Sequence, residues 1–174
     1  DVAFTSNSHD GKKVIVAVPE RSIGASFSST KLTTHGFFAD WDIKPENNLC
    51  TPGSSSGKVD AFLKFLAGPD PILVCTHATL RFAFEKLAPE AFNGSVLAID
   101  EFHHVSADVE ANRLGALLRD VMAGSDVHIV AMTGSYFRGD SVPVLSSIDE
   151  AQFTPVTFNY YDQLNGYEYL KSLG

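Results

Sequence analysis

Two adjacent carboxylates, Asp100 and Glu101, follow directly on the apolar run Val96-Leu97-Ala98-Ile99. Such a run reads as a buried strand, and in an open parallel sheet ligands bind at the carboxyl ends of the strands. Two acids at that place are poorly suited to a core but suit phosphoryl transfer. The first can hold Mg²⁺, usually through water, because Mg²⁺ dehydrates reluctantly. The second can orient and deprotonate the water that attacks a γ-phosphate. On the pair alone, a strand end followed by a solvated acidic turn is the simpler reading.

The elements around the pair decide how it is held. Val14–Val18, Ile72–Cys75, Val96–Ile99 and Val127–Met132 are continuous apolar runs, the pattern of strands buried on both faces of a parallel sheet; Val156–Tyr160 is a weaker fifth. Val59, Phe62, Leu63 and Leu66 share one helical face. Val109, Leu114, Leu117, Leu118 and Val121 form a second apolar stripe, with Ser106 as its expected N-cap. Strand and helix alternate, which predicts an α/β fold: a three-layer α/β/α sandwich on a mainly parallel sheet. Asn47–Gly57 and Gly68-Pro69-Asp70-Pro71 read as loops. The tail from Tyr161 could form a helix, with Asn165-Gly166 as an interruption.

At 174 residues, with 44 % hydrophobic and 20 % charged residues, the chain is expected to form one globular domain. Its apolar runs fall far short of the ~20 residues that cross a bilayer, so no membrane partner is expected. Asp1 to Lys13 is no secretory signal, and a start without Met suggests a processed product or a cut-out fragment. Two cysteines, Cys50 and Cys75, make neither a disulfide framework nor a four-ligand zinc site, which fits a reduced, cytoplasmic setting. A net charge of −8 argues against a general nucleic-acid coat but leaves a local contact surface open.

The run VLAIDEFHH (96–104) resembles the DExH form of the Walker B motif in superfamily 2 DNA and RNA helicases. Three further segments follow the family's order. VIVAVPERSIGASF (14–27) resembles motif Ia, LVCTHATLRFAF (73–84) motif Ib, and IVAMTGSYFRGD (129–140) motif III, with Thr133-Gly134-Ser135 in place of the commoner Ser-Ala-Thr. The resemblance implies the first RecA-like motor domain of an ATP-dependent helicase or translocase, cut before motif Ia and after motif III, with 141–174 as a tail toward a second RecA-like domain. It implies Mg²⁺ and ATP as cofactors and DNA or RNA as partner. Asp100 would be the metal-binding Asp and Glu101 the catalytic Glu. His103 would couple the ATP site to the following motif, and Thr133 with Ser135 would relay to it. Arg21, Thr76 and Thr79 are candidates for the nucleic-acid backbone, since hydroxyls and helix-start N–H groups bind phosphates without reading sequence. For the hydroxyls, ordinary N-caps and turns are an equal reading.

A helicase motor also needs a phosphate-binding loop, G-x-x-x-x-G-K-[ST], ahead of motif Ia, and none is present. Gly53-Ser54-Ser55-Ser56-Gly57-Lys58 has one residue too few between its glycines, and Val59 stands where a hydroxyl belongs. Arg138 is no substitute for the arginine fingers of the absent second domain. The chain by itself is therefore expected to be inactive. A zinc cluster of His103, His104 and His128 fits no ligand spacing. Trp41, with Phe37 and Phe38, reads as a satellite hydrophobic cluster before a base-stacking platform. Two other classes stay open: a non-catalytic helicase-like scaffold, and an unrelated α/β hydrolase using Glu101 and a His.

Overall fold

The computed structural model describes residues 13–51, 57–102, 109–133, 147–156 and 160–172. Four strands, β1 (Val14–Val18), β2 (Ile72–Thr76), β3 (Val96–Ile99) and β4 (His128–Ala131), form a parallel sheet in the order β2-β1-β3-β4. Crossover helices join them, as parallel pairing requires. The register sets Val18 beside Thr76 and Ala17 beside Ile99, so the carboxyl ends of β1, β2 and β3 lie level. Every residue of these three strands is buried, which is why their sequences run apolar without alternation.

Alternate residues fill two cores, as the pleat dictates. Val14, Val16, Val18, Ile72, Val74, Val96 and Ala98 pack with Trp41, Ile43 and Cys50 on one face. That layer is built from α1 (Arg21–Ala25), short 3₁₀ turns at Leu32–His35 and Pro45–Asn47, and the segment between them. The opposite set, with Ile15, Leu73, Leu97 and Ile99 fully buried, faces the crossover helices α2 (Lys58–Ala67), α3 (His77–Lys86) and α4 (Val109–Gly124). Those helices contribute Phe62, Phe65, Leu80, Phe84, Leu114 and Leu118. Phe92 stands edge-on to Phe62 at 6.1 Å and to Phe84 at 5.0 Å between ring centres, tying α2 to α3.

The first-face layer is held by Asn48, a buried amide. Its Nδ2 donates to the carbonyls of Gly24 (2.9 Å) and Phe27 (3.1 Å), and its Oδ1 accepts from the Cys50 N–H (3.1 Å). Asn48 also pairs with Val74, and the Leu49 N–H donates to the Val74 carbonyl at 2.8 Å, closing the outer edge of β2. Trp41 is not a platform. It is buried in this core, 6.0 Å from Phe27 between ring centres, while Phe38 is exposed.

The structure departs from the sequence expectations in four places. In α2 the buried side chains are Phe62 and Phe65, and Leu63 is exposed, so the face is turned from the one the periodicity suggested. The aromatic ring at 65 buries more area than Leu63 and wins the core position. β4 is mostly exposed, with Val130 at 39 %, because among the described residues it is an edge strand. Val156 is 92 % exposed and lies in no strand. Asn165-Gly166 does not interrupt the tail: α6 (Tyr160–Ser172) runs through it. An interior glycine costs a helix only about 1 kcal/mol, too little to break it by itself. The expected N-cap Ser106 lies outside the described residues.

The chain divides into two compact units, Asp1–Val144 and Leu145–Gly174. The second holds α5 (Ser147–Glu150) and α6, whose Tyr160, Leu164, Tyr167 and Tyr169 are exposed. Among the described residues no helix is long and apolar enough to cross a membrane.

Gly24 is the closest approach of α1 to its layer. A Cβ there would collide with Cys50 Sγ, come within 2.6 Å of Cys50 Cβ and within 3.1 Å of Val18 Cγ2. Gly24→Ala should lower the unfolding free energy by about 1–3 kcal/mol, as overpacking does. Urea titration followed by Trp41 fluorescence checks it; an unchanged midpoint would show that the layer yields.

Candidate functional site

β3 ends at Ile99, and Asp100 and Glu101 form the turn that follows, half-buried at the carboxyl end of the sheet. The Asp100 N–H donates to the Ala17 carbonyl at 2.8 Å, so this residue is still pinned to central β1. Its carboxylate turns back on the chain: Oδ1 accepts the Glu101 N–H at 2.9 Å. Among the described residues the other oxygen makes no hydrogen bond, which leaves it for a water or a hydrated cation. Mg²⁺ in nucleotide sites takes one or two carboxylates, waters and the phosphates themselves. The donor set fits that role, although among the described residues no group of three or more His, Cys, Asp or Glu side chains is poised to hold a metal.

Glu101 has φ +49°, and among the described residues it is the only non-glycine with a positive φ. For an L-residue that conformation costs roughly 1–2 kcal/mol. The strain is held from both sides. The peptide joining Asp100 to Glu101 offers its N–H to Asp100 Oδ1, and its carbonyl accepts from His77 Nε2 at 2.9 Å. A carbonyl can only accept, so Nε2 must carry the proton. Beyond the turn, the Phe102 N–H donates to the Met132 carbonyl (2.8 Å) and the Met132 N–H to the Ile99 carbonyl (2.9 Å). The chain leaving β4 is thereby stitched to the carboxylate turn, with Thr133 next in line and exposed. His103 and Ser135 lie outside the described residues, and so does the His103 end of the relay expected from Thr133 and Ser135.

The second group of candidates sits at the same end of the sheet, after β1 and β2. Arg21 opens α1 and is exposed. Thr76 is the N-cap of α3: its Oγ1 accepts the Thr79 N–H at 3.2 Å, and the two hydroxyls lie 3.1 Å apart. Both threonine side chains are buried. The N-cap reading of these hydroxyls is thus realised, and the Thr79 N–H is taken up by the cap.

Two residues here were missed or set aside by sequence reasoning. His77 carried no signal, because a histidine at a helix start reads as solvated; only the fold brings it to Asp100. Lys58, dismissed as a phosphate-loop lysine, begins α2 and donates to the Leu49 carbonyl at 2.6 Å. Desolvation, and next the Arg21 guanidinium, lower its pKa, so the sheet end carries two neighbouring cations. Cys50 and Cys75 are buried, and burial pushes both thiols up, which makes them packing groups. His128 starts β4 beside Val96, four residues or roughly 13 Å of strand from Asp100.

If Glu101 is strained, Glu101→Gly should leave the unfolding free energy unchanged or raise it by up to about 1 kcal/mol, since glycine adopts positive φ freely. Glu101→Val should lower it. Urea titration of both variants checks this, and a glycine variant less stable than the parent would remove the case for strain.

No protein-family model and no solved structure matches the chain. Over 163 residues, 94 % of its length, it is 60 % identical to a protein of Bacillus subtilis (strain 168) named "Putative ATP-dependent helicase YeeB". The chain spans 27 % of that relative's length. Nearly all of this chain is therefore similar to part of a protein that bears a helicase name.

Proposed function

We propose that this chain is part of the first RecA-like motor domain of a superfamily 2, DExH-type helicase or translocase, coupling Mg-ATP hydrolysis to movement on DNA or RNA. The observation that carries the reading is the Asp100-Glu101 turn. It is pinned to the central strand and strained, and it stands level with the helix starts that follow β1 and β2. The 60 % identity to the Bacillus protein supports it.

In this reading Asp100 would hold Mg²⁺, which would neutralise phosphate charge. Bound Mg-ATP would supply a phosphoryl group whose charge the cation neutralises. Glu101 orients water and accepts its proton, and its fixed backbone keeps that carboxylate aimed without reorganisation. His103, Thr133 and Ser135 connect the turn to the nucleic-acid side. Arg21 and the first turn of α3, which Thr76 and Thr79 cap, meet backbone phosphates, contacts that position a strand without reading its sequence. A second RecA-like domain and a phosphate-binding loop elsewhere in the parent protein complete the site.

The test is ATPase rate on the longest natural protein carrying this sequence, with and without single-stranded nucleic acid. Stimulated hydrolysis is expected, and Glu101→Gln should reduce it by about 10²–10⁴-fold, the usual contribution of a general base. A parent that neither binds nor hydrolyses ATP would leave a non-catalytic, helicase-like scaffold as the function.

A further inference from the structure

We propose that His77 is a positioning residue that couples the start of α3 to the Asp100-Glu101 turn by locking the peptide between the two acids. The inference rests on the motor reading above. One peptide plane carries it. Its carbonyl accepts from His77 Nε2 at 2.9 Å, and its N–H donates to Asp100 Oδ1 at 2.9 Å. Rotation of that plane is what changes φ of Glu101. While both bonds hold, Glu101 stays at φ +49°. Release of the His77 bond frees the plane to turn, and an L-residue then gains by moving to negative φ. The turn therefore has two discrete backbone states, and the side chain that selects between them comes from another element.

That element is the one proposed to meet the nucleic-acid backbone. His77 is the first residue of α3, directly after the N-cap Thr76 and two residues before Thr79. β1 lies between β2 and β3, so the imidazole spans the end of the central strand to reach Asp100. A phosphate drawn onto the first N–H groups of α3 shifts the backbone that carries the imidazole. Glu101 is thereby aimed or released according to whether a strand is bound. Coupling of this kind is reciprocal: a nucleotide that favours one state of the turn must change the affinity for nucleic acid by the same factor.

The experiment measures that factor on the longest natural protein carrying the chain. Anisotropy of a labelled single-stranded oligonucleotide gives Kd with and without a non-hydrolysable ATP analogue and Mg²⁺. The unmodified protein should show a nucleotide-dependent change of about 5-fold or more, the usual lower range of allosteric coupling. In His77→Ala and His77→Phe the change should fall below about 2-fold. His77→Gln, which keeps an N–H donor at similar reach, should restore most of it. A His77→Ala protein with full coupling overturns the inference alone, as does an unmodified protein that binds both ligands without coupling. An unmodified protein that binds neither ligand overturns the motor reading and this inference together.

Discussion

The placement of β1 at the middle of the sheet is the constraint on which the site depends. It is hydrogen-bonded to β2 on one side and β3 on the other, and no residue of it is more than 2 % exposed. Because its partners run parallel and in matched register, every crossover returns the chain to the same end. The three segments that could touch a ligand there, after Val18, after Thr76 and after Ile99, are brought level by backbone pairing before any side chain contributes. The Asp100 N–H extends that ladder by one residue, so the first acid is placed by the sheet itself.

The second acid is placed differently. Glu101 lies past the last bond to β1, in a conformation that an isolated L-residue avoids. What holds it is a set of local polar contacts that oppose relaxation: the Asp100 carboxylate below, His77 from α3, and the Phe102–Met132 bond from the end of β4. Strain of this sort persists only where surrounding structure over-determines it.

The two outer strands differ. The edge of β2 is closed by Asn48 and Leu49, and Lys13 adds bonds from its ammonium group to the carbonyls of Gly68 (2.6 Å) and Asp70 (3.0 Å). β4 keeps a sequence suited to a buried strand, yet its residues are largely exposed among the described parts of the chain. Burial therefore falls off from β1 toward β4, and the carboxylate turn lies between the well-packed and the open side of the sheet.

Much of this was legible in the residues. The apolar runs at 14–18, 72–75 and 96–99 carry the pattern of doubly covered parallel strands, which puts Asp100-Glu101 at a strand end. The apolar stripe of α4 follows from period alone, through Leu114, Leu118 and Val121. Tertiary structure decided the rest, because each remaining feature depends on partners distant in sequence. Phe65 displaced Leu63 from the core once the Phe62–Phe92–Phe84 cluster defined the space to be filled. Thr76 and Thr79 became a buried cap once β2 ran directly into α3. The exposure of β4 depends on what lies beside it, which period and composition do not encode. His77 meets Asp100 across 23 positions, and no local pattern marks either residue for the other. Local sequence sets which elements form and where charge can sit; only packing sets which backbone groups face one another, and the aim of Glu101 is a matter of the second kind.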